Sequence, residues 1–509
     1  MRCLLGLDIG TTSTIGILIT VDGRVLAMAT RPATLSAPHP GWAEEDPEEW
    51  WANVCALVPD LLAQAGLGAE AIAGIGVAGM LPATILLDDA GRLLRPSIQQ
   101  SDGRTGAEVA EIAAEMPEAD FVARTGNGIN QQLVGSRIRW IARHEPDVHA
   151  RIATVVGSYD FINLKLTGAR GVERNWALEA GFLDIATQDI ADDLVALAHL
   201  PRDAVPPVRS SADVIGAVTP EAAAATGLAV GTPVAGGAAD HIASAFVAGV
   251  IDPGDVLLKF GGAADILIAS ETARPDPRMF LDFHLVPGRF MPNGCMATGG
   301  SGLNWFVDTF AGGIAAEAAA RGQSVHAHLD ALAAEVGPGA DGVLVVPYLL
   351  GEKTPVHDPD ARGIVTGLGL NHGLGHLWAA LLEGYGYAFR HHVDVFNDMG
   401  FETRRFLASD GGAQSDVWMQ ACADILGAPI ARLEGHPGSC LGAAWAAAIA
   451  TGAATDWAGV QQFVSAGQRF SPRAEHAALH RARYAAFRAS YAAIAGIRAG
   501  RRAHLADGA

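Results

Sequence analysis

Along the first thirty residues the apolar positions fall into two β-like runs, 4–9 and 15–20, around the small-residue turn Gly10-Thr11-Thr12-Ser13-Thr14, and Asp22-Gly23 leads into a third run at 24–29. The pattern predicts a three-strand meander. The same grammar returns at 256–260 and 265–269 around Gly261-Gly262-Ala263-Ala264, just after the turn-rich Asp252-Pro253-Gly254-Asp255. One hairpin thus opens each half, and the boundary is expected there, with an amino-terminal domain over 1–250 and a carboxy-terminal domain over 251–509. Helical patterns at 47–65, 105–116, 133–144 and 220–226 interleave with apolar runs at 72–77 and 155–156. Beyond residue 300 the chain is helix-rich, with an apolar run at 342–350, helices at 376–397 and 415–427, and a strand at 405–408. From about 472 the tail carries Arg and Ala at helical spacing, which predicts a terminal surface helix. Strands mixed with helices indicate α/β layers.

Composition narrows the class. Half of the 509 residues are apolar, enough for a large core in two to four domains. The balance of 35 Lys+Arg against 55 Asp+Glu, net −20, argues against a nucleic-acid partner, which needs clustered cations. Cys3, Cys55, Cys295, Cys422 and Cys440 are odd in number and far apart, so they read as reduced thiols in cytoplasm. Asp8 interrupts the first apolar run too early for a signal peptide. The uncharged stretch 437–455 has only Leu441, Trp445 and Ile449 as large apolar residues, which suits a packed helix, so no membrane segment is expected.

Gly74-Ile75-Gly76-Val77-Ala78-Gly79 satisfies G-x-G-x-x-G, but Pro82 and a strand-like run follow where a dinucleotide fingerprint must open a helix, so that reading is rejected. Gly351-Glu352-Lys353-Thr354 lacks Walker spacing, and the histidines, His326/His328 and His391/His392 included, show no metal motif. Asp8-Ile9-Gly10-Thr11-Thr12-Ser13 differs in kind. A carboxylate at a strand end, then glycine and hydroxyl residues, places donors around a phosphate and leaves Asp8 for a hydrated Mg²⁺; a plain tight turn uses the same residues. The second hairpin doubles the argument, because two such turns facing across a cleft clamp a triphosphate. Ala408-Ser409-Asp410-Gly411-Gly412-Ala413-Gln414-Ser415 adds a strand, a glycine pair and a helix N-cap, where backbone can approach a base or a phosphate.

From about 4 to 450 the chain resembles the FGGY carbohydrate kinases of the actin/Hsp70/sugar-kinase superfamily, and within them the xylulokinases. The resemblance rests on Leu7-Asp8-Ile9-Gly10-Thr11-Thr12, on the stretch 38–51 around Trp42, on Asp102-Gly103-Arg104, and on Gly236-Gly237-Ala238-Ala239-Asp240. It continues through 347–355, the signature at 363–383, Gly411-Gly412-Ala413, and 437–444. It implies an α/β fold of two ribonuclease-H-like domains flanking a catalytic cleft, sugar mainly on the amino-terminal side and ATP mainly on the carboxy-terminal side. By resemblance Asp240 is the catalytic base, Asp8 organises Mg²⁺, and Thr11, Thr12 and Ser13 form the first phosphate loop with Gly10. Gly261 and Gly262 form the second, and Gly411, Gly412 and Ala413, supported by Gly438, the adenosine loop. Trp42, Met80, Leu81, Asp102, Arg104 and Asp240 are the expected substrate contacts.

The departures are informative. Met80-Leu81-Pro82-Ala83 stands where xylulokinases have Gln-Met-His-Gly, Gln100-Ser101 replaces Trp-Asn, Glu173-Arg174-Asn175-Trp176 replaces an Asp-x-Ser region, and Gly261-Gly262-Ala263 replaces Gly-Thr-Ser. The sugar wall is rebuilt and one phosphate-loop hydroxyl is gone. The expected activity is ATP- and Mg²⁺-dependent phosphorylation of a primary hydroxyl on a small ketose or polyol, D-xylulose to D-xylulose 5-phosphate first, with ribulose, L-xylulose or erythritol as alternatives. Trp42 is expected to cover a sugar face, and Asp102 to accept two hydroxyls. Rival readings are a sugar- and nucleotide-binding regulator without transfer activity, which has no need of Asp240, and a chaperone-like ATPase, which lacks use for Trp42, Asp102 and Arg104. The resemblance leaves room for a homodimer.

Overall fold

The computed structural model describes residues 2–506, with side chains to 498, so positions 507–509 of the expected helical tail lie outside the described residues. The chain forms two compact units that are not contiguous in sequence. The first comprises Met1–Ile251, Ala269–Pro292 and Gly435–Ser465; the second comprises Asp252–Ile268, Asn293–Glu434 and Ala466–Ala509.

In the first unit the expected meander forms as Cys3–Ile9, Ser13–Ile19 and Val25–Pro32. Cys3–Ile9 runs antiparallel to Ser13–Ile19 and, on its other edge, parallel to Ile72–Gly79, which also pairs with Pro233–Ala235 and Ala238–Ala239. The helix Pro47–Ala65 begins where the Asp46 side chain accepts from Glu48 N–H and Pro47 takes the first helical position, and it stops at Gly66, φ 63°. Its buried face, with Trp50, Val54, Leu57, Val58, Leu61 and Leu62, contributes about 1.5–3 kcal/mol per large side chain.

The opposite face of the sheet explains the glycines that resemble a dinucleotide fingerprint. A Cβ on Gly76 would lie 1.9 Å from the Ala443 carbonyl, and one on Gly6 2.0 Å from that of Cys440. These glycines let the buried helix Ser439–Ala450 lie directly on the strands Cys3–Ile9 and Ile72–Gly79. The same helix admits Asp240–Val247 through Gly442, where a Cβ would meet the Ala243 carbonyl at 2.6 Å.

The second unit repeats the plan. Asp255–Phe260 runs antiparallel to Ala264–Ile268 and parallel to Arg405–Ser409, which pairs in parallel with Ile430–Glu434. The helix Leu374–Asp398 buries Trp378, Tyr385, Tyr387 and Phe389. The tail helix Ala477–Ala506 is less superficial than its arginine-rich sequence predicts: Phe487 is fully buried, His480 accepts or donates at 3.0 Å with Tyr387 Oη, and Arg483 pairs with Glu383. Its long cationic side chains cover apolar surface while their heads reach partners. All five cysteines are free thiols. Among the described residues no helix is long and apolar enough to cross a membrane.

Candidate active site

Two carboxylates stand near the carboxyl ends of strands in the first sheet. Asp8 lies in register with Ala78, and Ala78 pairs in turn with Ala238; Asp240 follows as the first residue of its helix. Two strand spacings, about 10 Å, separate the Asp8 and Ala238 backbones. Ser439 Oγ donates to Asp8 Oδ2 at 2.6 Å, so the start of the helix Ser439–Ala450 meets the Asp8 side chain. Next to it the turn at Gly10 is closed by the Gly10 N–H donating to the Ser13 carbonyl at 3.0 Å, with Thr12 exposed and Thr11 and Ser13 half-buried. This donor set of carboxylate and hydroxyl oxygens fits Mg²⁺, a hard ion that takes one or two carboxylates together with phosphate oxygens.

The sequence-predicted sugar residues are reached differently than expected. Asp102 is buried, and its two oxygens receive four donors: Ala43 N–H at 2.6 Å, Arg104 N–H at 3.0 Å, Arg104 Nε at 2.8 Å and Arg104 Nη2 at 2.6 Å. A carboxylate has about four acceptor sites. Burial opposes its charge, but the Arg104 and Ala43 hydrogen bonds outweigh that and hold the Asp102 carboxyl below its usual value. In this arrangement Asp102 positions Arg104 and has no capacity left for two sugar hydroxyls. Arg104 stacks 3.6 Å above the Trp42 ring and also pairs with Glu44, so one face of Trp42 is taken as well. Met80 and Leu81 are 3 % and 7 % exposed, and Met80 Sδ accepts from Thr11 Oγ1 at 3.3 Å. Met80 thus packs against the protein's own first turn.

Asp240 Oδ1 accepts from the His241 backbone N–H at 2.6 Å and lies 3.3 Å from His241 Nδ1, while His241 Nε2 is 3.0 Å from Asp282 Oδ2 and 3.9 Å from Glu179 Oε1. Burial and the charge of Asp282 push the Glu179 carboxyl well above its usual value. Glu179, His241 and Asp282 offer ligand atoms within 4.8 Å of one another. The imidazole makes the set unsuited to Mg²⁺, which prefers oxygen.

In the second unit the turn after Asp255–Phe260 and the loop after Arg405–Ser409 line one cavity of about 580 Å³. Gly261, Gly262, Gly411 and Gly412 contribute backbone to it, and Asn304, His326 and Trp378 contribute side chains. The Gly262 carbonyl accepts from Gly299 N–H at 2.8 Å, Ser301 N–H at 3.0 Å and Ser301 Oγ at 2.8 Å, which ties the turn to the start of the helix Gly300–Phe310. Asp410 holds φ 72°, a left-handed conformation costly for a non-glycine residue, just before Gly411. Gly412 sits tight: a Cβ there would lie 2.6 Å from Trp418 Cζ3 and 2.9 Å from Phe260 Cβ. Ala413 is buried beneath the loop, and Gly438, φ 87°, belongs to the first unit, one residue before Ser439. A backbone-lined cavity of this size with an indole and an imidazole at its wall can take a planar base and a phosphate chain.

Residues 3–247 match the FGGY family of carbohydrate kinases, N-terminal domain, and residues 265–451 match the C-terminal domain of the same family. The chain belongs to the FGGY family of carbohydrate kinases. As an FGGY kinase it is a phosphotransferase acting on a sugar-class alcohol, with ATP as phosphoryl donor. It is 33% identical to a xylulose kinase of Escherichia coli over 88% of this chain and 90% of that one. A crystal structure of xylulose kinase from Rhodospirillum rubrum is 55% identical, with TM-score 0.92, covering 97% of this chain and 99% of that one. A gluconokinase of Bacillus licheniformis is 28% identical over 94% of this chain and 93% of that one.

Sequence reasoning missed Ser439, Asn304, His326, Asp282 and Glu179 in this FGGY kinase. His241 beside Asp240 was the one legible signal, because a histidine next to a candidate base invites a search for its second partner. Asp282 carries no local motif, and only the fold brings the strand Phe280–Phe283 to that helix.

Proposed function

We propose that the enzyme transfers the γ-phosphoryl group of ATP to a primary hydroxyl of a small ketose or polyol, with D-xylulose giving D-xylulose 5-phosphate as the leading reaction. The observation that carries this is the similarity over nearly the whole chain to xylulose kinases, 55% identical in one solved structure. In this reading residues 1–250 mainly hold the sugar and residues 251–509 mainly hold ATP. A sugar hydroxyl is a poor nucleophile at neutral pH, so Asp240 accepts its proton as the oxygen attacks the γ-phosphorus and ADP departs. Asp8, with Ser439 orienting it, is the ligand for Mg²⁺. That ion would supply charge neutralisation on the phosphate oxygens. Thr11, Thr12, Ser13 and the backbone at Gly10 serve the phosphates, as do Gly261 and Gly262, while Gly411 and Gly412 pack beside the base with Ala413 beneath and Gly438 in support. The free thiols, three of them buried, support an enzyme of a reducing cytoplasm.

Substrate choice rests on the rebuilt wall. Met80 and Leu81 are apolar and buried, and Asp102 is saturated by Arg104 and Ala43, so fewer polar groups discriminate between pentulose hydroxyls. D-xylulose is accordingly expected to be turned over without strong preference. Purified enzyme assayed for ADP release with D-xylulose, ribulose, L-xylulose, erythritol and gluconate tests this. At least one alternative should match D-xylulose in kcat/KM; a preference for D-xylulose above ~10²-fold over every other compound would refute the relaxed wall. No ADP release with any of them would refute the kinase reading of the site.

A further inference from the structure

The cluster behind Asp240 is unassigned by the reaction as written. His241 places Nδ1 3.3 Å from Asp240 Oδ1 and Nε2 3.0 Å from Asp282 Oδ2. An ionised carboxylate only accepts hydrogen bonds, so a ring nitrogen facing each must donate, and both ring nitrogens then carry protons. Asp282 has no solvent exposure, and a buried carboxylate needs a paired cation. His241 is in direct reach of it. We propose that His241, held as an imidazolium between Asp240 and Asp282, is a positioning residue that keeps the Asp240 carboxylate ionised and oriented to accept the sugar proton. This rests on the reading of Asp240 as the base.

The surroundings support that charge state. Asp240 comes from the same helix, Asp282 from the strand Phe280–Phe283, and Glu179 from the last position of the helix Arg174–Glu179. Arg137 and Glu173 lie in a second rank, acting on Glu179 and Asp282 respectively. Burial opposes a charged imidazole, but the hydrogen bonds to Asp240 and Asp282 and the charge of Asp282 outweigh it and hold His241 well above its usual value. The strand carrying Asp282 is clamped by Asn175, whose Oδ1 accepts from Phe283 N–H at 2.7 Å and whose Nδ2 donates to the Phe283 carbonyl at 3.0 Å. Asn175 belongs to the Glu179 helix and to the stretch that departs from the xylulokinase pattern. Asn175 thus ties down the strand that carries Asp282.

The test uses the full-length protein. ADP release with D-xylulose is followed from about pH 3 to about pH 9 for the wild type and for His241→Gln, Asp282→Asn and Asp240→Asn. His241→Gln should lower kcat about tenfold, leave KM for the sugar within about twofold, and move the acidic limb of kcat/KM up by about one pH unit, the effect of removing an opposite charge from a carboxylate. Asp282→Asn should shift the limb in the same direction by less. An unmoved limb in both folded variants overturns the proposal. If Asp240→Asn keeps most of its turnover, the base reading fails instead, whereas an inactive Asp240→Asn with an unmoved limb in the other two sinks only the role of His241. Independently of any sugar, long-range ¹H–¹⁵N spectra of the wild type at about pH 7 should show both nitrogens protonated in the ring whose signals vanish in His241→Gln; a neutral ring there overturns the proposal.

Discussion

The two glycine turns that open the two units share a backbone plan and differ in how they are equipped. In the first unit the turn follows the Asp8 strand end, carries Thr11, Thr12 and Ser13, and closes on itself through the Gly10 to Ser13 hydrogen bond. In the second unit the turn at Gly261-Gly262-Ala263 has no hydroxyl of its own, and its carbonyls are tied instead to the start of the helix Gly300–Phe310. The first turn is chemically rich and locally closed; the second is chemically bare and held by a neighbour. A serine of the adjoining helix thus braces the second turn from outside, its hydroxyl donating to the Gly262 carbonyl. Sequence comparison of the turns alone shows a loss, while the structure shows a hydroxyl 2.8 Å from the Gly262 carbonyl.

That contrast breaks first at Asp8. With a divalent ion contributing several kcal/mol to the transition state, Asp8→Asn should lower kcat by at least ~10²-fold and raise the Mg²⁺ concentration needed for half-maximal rate. A variant with near-normal turnover and unchanged Mg²⁺ response would show that the first turn owes nothing to its carboxylate. The bare turn is probed from below by Gly412→Ala, whose Cβ must displace Trp418 or Phe260. Overpacking of this kind costs about 1–3 kcal/mol, read as an earlier denaturant midpoint together with a higher KM for ATP. If both stay at wild-type values, the packing beneath the loop is not rigid.

The smallest effect sharpens the comparison most. Gly262 has no positive φ, and a Cβ there would meet nothing within 4 Å, so Gly262→Thr should fold normally. One added hydrogen bond of about 0.5–1.5 kcal/mol would lower the KM for ATP about threefold. Ser301→Ala removes the donor that ties the Gly262 carbonyl to the helix Gly300–Phe310 and should raise that KM about twofold. An unchanged KM would show that the turn does not need this tie.

Much of this protein was legible along the chain. Periodicity placed Pro47–Ala65 and Pro220–Thr226, and the two hairpins, because local apolar spacing, N-caps and glycine stops act within a few residues. Ordered motifs pointed to Asp8, Asp240 and the glycine loops as the chemistry-bearing positions. The tertiary structure alone decided the rest. It alone set Gly74 and Gly76 against the helix Ser439–Ala450, since that close approach joins residues far apart in sequence. It set the Ala43 N–H against Asp102, whose carboxylate also holds Arg104 over the Trp42 ring, because a carboxylate's lone pairs are claimed by whichever donors folding brings nearest. It also set Asp282 and Glu179 behind His241, joining three separate elements into one cluster that no spacing in the sequence encodes.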